Sequence, residues 1–366
     1  MQVIDRQRNR QNTIAPAFSS NGIPIAFFAD ANYFPYTAVA VQSIVETSSP
    51  ENRYDILVFT EAGLPRLSQE RFLALGARHP NVSLRLVCLE DSDLASVRTL
   101  YHGQLSAMTY GRILLPMLLP AYQRAIYLDA DILVREDVAH FFAIDLAHHL
   151  VGAMKDEGVV RVVSIPARWR QDIKRECPDF NFDSYANAGV LLMDLEGLRR
   201  ARMMEACLRL AAKNKFVFAD QDVLNIFLSG RIRMLPCKWN QCTSALPYCQ
   251  DDCEEKGLPC VVGLNEGILH YAGLKPWRDA ATDSPAWIWW DVASRTSYYH
   301  DFLLRADGIH RFTHAKVGDL LRLWIVTRAD NRIRRGKKPS VFFAPYLDQW
   351  RKKLIEKGLL VSWKRA

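Results

Sequence analysis

Asp129 and Asp131 flank a single alanine directly after the apolar run Ala125-Ile126-Tyr127-Leu128. Residues two apart in extended backbone point the same way, so this pair can offer two carboxylates to one hard cation. Like charges at the end of a buried strand repel unless something neutralises them, and a divalent ion bridging phosphate oxygens would do so. The competing reading is a capping turn, because Asp is common after strands and before helices. His270 follows Gly267-Ile268-Leu269 and precedes Tyr271-Ala272-Gly273-Leu274-Lys275-Pro276-Trp277. A neutral imidazole can complete a transition-metal site such as one for manganese, Lys275 can balance diphosphate charge, and Gly273 lets backbone approach phosphate.

Four further groups carry usable chemistry. Asp30-Ala31-Asn32-Tyr33 can hydrogen-bond a base and ribose, or be a simple turn. Arg112, after Tyr110-Gly111, can face a phosphate or an acid, or sit on a helix surface. Asn187-Ala188-Gly189 opens an apolar run, and Asp220-Gln221-Asp222 opens a helical one, where N-terminal capping is the alternative.

The elements that must position these groups alternate. Strands are expected at Ile23 to Ala29, Tyr54 to Thr60, Val82 to Leu89, Arg124 to Leu128 and Ala188 to Met193. Helices are expected at Tyr36 to Glu46, Ser68 to Arg78, Leu195 to Asn214 and Asp220 to Leu228. Residues 236–265, rich in Pro, Cys and Asn, read as irregular loop. Such alternation predicts an α/β fold with a mixed, mainly parallel sheet flanked by helices, whose ligands gather at the carboxyl ends of the strands.

The 366 residues, 49% of them hydrophobic and 24% charged, can bury a large core, which excludes a disordered or fibrous chain. No apolar run reaches the roughly 18 residues that span a bilayer. Residues 1–22 form a polar arm with Asp5, Arg6, Arg8 and Arg10, the wrong layout for a secretory signal, so a cytoplasmic protein is expected. Cys237, Cys242, Cys249, Cys253 and Cys260 crowd one segment without paired knuckle spacing, which favours reduced, packed thiols over zinc or a disulfide.

The net charge of +7 is unevenly placed. Residues 311–366 hold fifteen Lys and Arg against four acids, a net of +11, which leaves the rest at −4. In that tail Val317, Leu320, Leu321, Trp324 and Ile325 share one helical face, as do Leu347, Trp350, Leu354 and Ile355, with Gly358 as a stop. Basic helices with Trp and Leu on the apolar stripe suit an anionic membrane surface; docking on the protein's own core is the alternative, and nucleic acid is not expected.

In chain order these residues read D-x-N-Y, Y-x-R, Y-L-D-x-D, N-A-G-V-L-L, D-Q-D, K-W-N and H-Y-x-G-x-K-P-W, closing with Trp287-Ile288-Trp289-Trp290. From about Ile23 to about Leu304 the chain resembles glycosyltransferase family 8, retaining transferases that include bacterial lipopolysaccharide galactosyl- and glucosyltransferases and glycogenin. The resemblance implies a GT-A fold over 23–305, followed by a basic amphipathic region over 306–366. It implies a UDP-sugar donor, UDP-glucose or UDP-galactose, bound with manganese or magnesium. By the same resemblance Asp129, Asp131 and His270 match metal ligands, and Asp30, Asn32 and Tyr33 match the uridine end. Arg112, Asp156 and Asn187 match residues around the donor sugar. Gly273 and Lys275 match diphosphate contacts, and Ala130, between the two acids, joins the donor-binding set. Asp220 and Gln221 match positions beside the anomeric carbon. The departures are Ala31, where some relatives carry a second acid, and a lysine motif one residue shorter than the frequent H-x-x-G-x-x-K-P-W.

The expected reaction is retaining transfer of a hexose to a glycan hydroxyl, of lipopolysaccharide core or a related surface glycan. The expected place is the inner face of the cell membrane. Two rivals stand beside it. A phosphatase would carry its Asp-x-Asp on the first strand, whereas three expected strands precede this one. A non-catalytic nucleotide-sugar or membrane-binding protein would not require the acidic pair, His270, Lys275 and Gln221 together.

Overall fold

The computed structural model describes residues 2–5, 13–61, 63–98, 107–159, 168–214, 216–243, 264–273, 275–278 and 285–305. The chain divides into two compact units, Met1–Gly273 and Leu274–Ala366. The basic tail and its two expected helices lie outside the described residues, as do Cys249, Cys253 and Cys260.

In the first unit an eight-stranded sheet runs in the order β1 (Gln2–Asp5), β4 (Val82–Leu89), β3 (Arg53–Glu61), β2 (Gly22–Phe28), β5 (Arg124–Leu128), β8 (Val190–Asp194), β7 (Val151–Ala153) and β9 (Ile232–Met234). Every neighbouring pair is parallel except the two made by β8, so β8 alone runs against the rest. Strands β2 to β5 are buried along nearly their whole length, as continuous apolar runs covered on both faces must be.

On one face Ala26, Phe28, Leu57 and Phe59 join the apolar sides of α4 (Gly111–Leu118), α7 (Leu195–Arg200) and α8 (Met203–Lys213) in one core. Phe28 and Phe59 stack there at 4.6 Å between ring centroids. Gly111 is what lets α4 approach β2, because a β-carbon at that position would fall 2.1 Å from the Phe28 ring. Helix α1 (Phe34–Thr47), opening on Pro35, packs against a second, three-stranded sheet through β6 (Ile132–Val134). In that sheet β6 pairs antiparallel with β11 (Ile268–His270), which pairs parallel with β10 (Gln241–Cys242).

Three sequence expectations need correction. The helix expected over 195–214 is two helices, α7 and α8, because Arg202 adopts the left-handed region at φ 53° between them. The expected loop from 236 contains a 3-10 turn, Cys237–Asn240, and strand β10. The strand expected from Ala188 begins at Val190, which leaves Asn187, Ala188 and Gly189 as a connector. Within the polar arm, Gln2–Asp5 extends the sheet edge and Ile14 is buried in the core. Residues just after Ile14 are held by a buried cluster: Asp55 accepts from Ala17 N at 3.0 Å, and Arg85 donates to Ala15 O at 2.9 Å.

The second unit has its own aromatic core. Trp289 of α10 (Ala286–Ala293) packs against Trp277 at 5.0 Å and against Phe302 of α11 (Tyr299–Arg305) at 5.2 Å. Trp290 donates its indole N–H to Pro276 O at 3.0 Å.

Candidate active site

Strand β5 ends at Leu128, and the chain turns through Asp129-Ala130-Asp131 into β6. Since β11 pairs with β6 so that His270 faces Ile132, the imidazole is delivered beside Asp131 by register alone. Tyr271 N donates to Asp131 O at 2.9 Å and locks that register. One ligand atom from each of Asp129, Asp131 and His270 lies within 4.8 Å of the others. His270 Nε2 stands 3.3 Å from Asp131 Oδ1 and 3.9 Å from Asp129 Oδ2.

Asp129 divides its two oxygens. Oδ1 accepts from Tyr127 Oη at 2.6 Å and from Arg112 Nη2 at 3.0 Å, while Oδ2 faces the imidazole. Asp131 and His270 are both buried. Burial disfavours the imidazolium, yet Asp131 beside it outweighs that cost and holds the His270 pKa well above its usual range. The connector before β8 makes room, because a β-carbon on Gly189 would meet His270 Cε1 at 2.3 Å and Asp129 Oδ2 at 2.8 Å. Two carboxylates and one imidazole in a notch kept open by glycine form a donor set suited to a divalent ion such as manganese.

Because β8 is antiparallel, its beginning sits at the sheet edge where β5 ends, and Asp129 N donates to Gly189 O at 2.8 Å. Arg112, on the first turn of α4, reaches the same edge. Its Nη1 donates to Ala188 O, its Nη2 to Asp129, its Nε lies 2.9 Å from Asp220 Oδ2, and its guanidinium covers the Tyr127 ring at 4.7 Å. The Nε approach to Asp220 is a close charge contact without hydrogen-bond alignment. Burial opposes the Arg112 charge, but Asp129 and Asp220 more than restore it.

Helix α9 (Ala219–Phe227) supplies Asp220 and Gln221 from its first turn. Burial pushes the Asp220 pKa up to about 6, against the opposing pull of Arg112. Gln221 is held at both ends of its amide: Oε1 accepts from Ala188 N at 3.0 Å, and Nε2 donates to Asp156 Oδ2 at 3.0 Å and towards Tyr185 Oη at 3.3 Å. Asp156 also accepts from Asn187 Nδ2 at 2.9 Å and from Val159 N at 2.9 Å. A pocket of about 250 Å3 is lined by Thr109, Arg112, Asp129, Asn187, Val217, Phe218, Ala219, Asp220 and Gln221.

Asp30 and Asn32 follow β2, which is parallel to its neighbour β5, so they stand at the same sheet edge as Asp129. Asp30 Oδ1 accepts from the backbone N–H of Asn32 and of Tyr33, each at 2.9 Å, which is the local turn that the sequence also allowed. Tyr33 and Asn32 are exposed. Gly273 adopts φ 95° at the end of the first unit, and Lys275 lies in the second.

Several side chains in this assembly were given no site role from sequence, although Asp222 was read in Asp220-Gln221-Asp222 at a helix start and Asn240 in K-W-N. Asp222 is fully buried and accepts from Trp169 Nε1 at 2.9 Å, Tyr185 Oη at 2.6 Å and Phe218 N at 2.8 Å, so it, rather than Asp220, ties down the start of α9. Asn225 exchanges two hydrogen bonds with the Ala186 backbone, at 2.7 and 2.8 Å. Asn240 lies between His270 and Asn187. The available signal was polarity in an apolar setting: Asp222 and Asn225 fall on the buried side of a helix, and Asn240 closes K-W-N.

Residues 24–281 match glycosyl transferase family 8. Lipopolysaccharide 1,2-glucosyltransferase of Escherichia coli K12 is 22% identical over 308 residues, covering 81% of this chain and 85% of that protein. Among solved structures, galactosyltransferase LgtC in complex with donor and acceptor sugar analogues superposes with a TM-score of 0.61 at 24% identity, covering 75% of this chain and 96% of that one. The bifunctional glycosyltransferase WbbM in its apo form gives 0.66 at 22% identity over 80% of this chain, which spans about half, 53%, of WbbM. At these identities the solved structures establish the fold, GT-A, with its mainly parallel sheet flanked by helices. The family match covers well over half of the sequence, and the chain belongs to glycosyl transferase family 8.

Proposed function

We propose that this protein is a metal-dependent retaining hexosyltransferase that moves glucose or galactose from a UDP-sugar to a hydroxyl of lipopolysaccharide core or a related surface glycan. The observation that carries the reading is the convergence of Asp129, Asp131 and His270, with Asp129 also lining the pocket that Asp220 and Gln221 line. In this reading Asp129, Asp131 and His270 hold manganese or magnesium, and Asp30, Asn32 and Tyr33 receive the uridine. Ala130, Gly273 and Lys275 attend the diphosphate. When bound, the ion supplies positive charge where the departing diphosphate develops negative charge.

The chain's own residues do the rest. Asp156 and Asn187, buried and mutually bonded, offer a fixed polar wall to the donor sugar. Arg112 donates to Ala188 O and Asp129, and in this reading it holds the wall and the first acid in place. Gln221 keeps a lone pair of Oε1 beyond the one taken by Ala188 N, and an amide oxygen steadies positive charge at an anomeric carbon more readily than it attacks it. Retention then follows from front-face attack, with the acceptor proton passing to the departing phosphate oxygen.

The sequence of the tail supports work on a lipid-anchored acceptor at the cytoplasmic face of the membrane. Among the described residues no helix is long and apolar enough to cross a membrane. The test is UDP release from UDP-glucose and UDP-galactose, with and without manganese, for the parent and for Asp129→Ala/Asp131→Ala. Metal-dependent release lost in the variant supports the reading and names the donor. No release from either donor in the presence of membrane extract points instead to another donor or to a non-catalytic binding protein.

A further inference from the structure

Three polar side chains link the carboxylate–imidazole cluster to the residue beside the proposed reacting carbon. His270 Nδ1 lies 2.9 Å from Asn240 Oδ1, Asn240 Nδ2 lies 2.8 Å from Asn187 Oδ1, Asn187 Nδ2 lies 2.9 Å from Asp156 Oδ2, and that oxygen accepts from Gln221 Nε2 at 3.0 Å. Asn240, Asn187, Asp156 and His270 are all buried. Water therefore has little access to substitute for a missing partner, and the direction of each bond has consequences.

That direction is determined from both ends. Asp156 Oδ2 accepts from Gln221 Nε2, and the amide nitrogen of Asn187 faces the same oxygen. The carbonyl of Asn187 then points back, where Gly189 N donates to it at 2.9 Å, and a backbone N–H can only donate. Asn187 thus has an oxygen towards Asn240, which must answer with its own NH2. The Asn240 oxygen is left for His270, so Nδ1 must carry the proton. When a cation displaces the other ring proton, the lone pair is therefore left on Nε2, the atom that faces Asp129 and Asp131.

From this geometry we infer that Asn240 is a positioning residue: it fixes His270 in the tautomer that can ligate a cation through Nε2, and through Asn187 and Asp156 it couples that cluster to the orientation of Gln221. The inference rests on the metal-dependent reading above. A ligating imidazole commonly has its second nitrogen held by an acceptor, and loss of that acceptor typically weakens metal binding about 10–100-fold. Cys242 Sγ, 3.7 Å from Asn240 Oδ1 and 3.9 Å from His270 Nδ1, packs against the same bond.

Two substitutions separate the two halves of the role. Asn240→Ala removes the acceptor and the donor together. Asn240→Asp keeps an acceptor for His270 but sets a carboxylate oxygen against the Asn187 carbonyl. The measurement is Mn2+ binding by electron paramagnetic resonance of the free ion, with kcat and KM for the UDP-sugar alongside. For Asn240→Ala, Mn2+ affinity should fall about 10–100-fold. Asn240→Asp should keep Mn2+ affinity close to the parent's while kcat drops at least about tenfold, because Gln221 loses its alignment.

Parent-like Mn2+ binding by Asn240→Ala overturns the inference, as does Mn2+ loss in Asn240→Asp equal to that in Asn240→Ala. Parent-like kcat in Asn240→Asp overturns the coupling to Gln221. Should the alanine variant not fold, the aspartate variant decides. Failure of the metal reading looks different: the parent and Asp129→Ala/Asp131→Ala would then bind Mn2+ equally poorly, and the inference falls with it.

Discussion

Arg112 Nη2 lies 3.0 Å from Asp129 Oδ1, and the same guanidinium reaches Asp220 Oδ2 within 2.9 Å, so one cation stands between two acids, one from a strand end and one from a helix start. Arg112 and Asp220 are almost wholly buried. Removing the cation strands buried negative charge, which typically costs about 3–5 kcal/mol. Arg112→Ala should therefore show a large loss in urea unfolding. Arg112→Lys keeps the charge but not the fork and should fold while losing most UDP release. A fully active lysine variant would mean that a point charge is enough.

Gly189 is expected to reject a methyl group at the cost of the cluster beside it. Gly189→Ala would push against His270 and Asp129, separating the cluster without removing any of its ligand groups. Calorimetry should find divalent-ion affinity lowered at least about tenfold, with far-UV circular dichroism unchanged. Unaltered affinity would show that the connector can retreat.

Asp220 makes stability depend on pH in a direction opposite to most carboxylates. Burial raises its folded pKa to about 6 from an ordinary 3.8, so the native state takes up a proton as pH falls through about 6. Its stabilising contribution is complete below the unfolded pKa and is lost as pH rises through the folded one, a swing of about 3 kcal/mol. Between pH 7 and pH 4 the parent should gain about that much relative to Asp220→Asn in metal-free urea titrations. A pH-independent difference between the two would refute this environment for the carboxyl group.

Asp222 should matter to folding more than to binding. It accepts three hydrogen bonds in a fully buried place, so Asp222→Ala leaves Trp169, Tyr185 and Phe218 N without that acceptor and should cost about 3 kcal/mol or more. Thermal melting measures the loss. A melting temperature within a degree or two of the parent's would show that the three donors find other partners.

Residues 311–366 are expected to bring the protein to anionic membranes. Deleting them should abolish sedimentation with vesicles containing anionic lipid and leave UDP release onto a soluble acceptor intact. Undiminished sedimentation would locate membrane affinity elsewhere.

The parts of this fold written as long apolar runs were legible in the sequence. Strands β2 to β5 are such runs, and Asp129 announces itself because it ends one. Strands β6, β7, β9 and β11 have three residues each, too few for any period to register. The break at Arg202 was hidden because Arg has good helical propensity, and only tertiary packing turns it left-handed. In the site, the residue types of Asp129, Asp131 and His270 were readable one at a time, whereas their meeting depends on the β6–β11 register, which is a property of pairing. Asn240 shows the same limit, since its importance lies wholly in which amide edge faces which neighbour.

The reversed strand β8 and the late strand β11 also say when the site comes into being during synthesis. Arg112, Asp129 and Asp131 leave the ribosome early, but the segment that lies across them waits for β8, and the imidazole waits for a strand more than a hundred residues beyond its partner. Closing that loop is entropically slow, so a chain halted before residue 270 can build the parallel sheet and still hold two mutually repelling carboxylates without their imidazole. The two carboxylates are thus expected to be synthesised well before the imidazole that faces them.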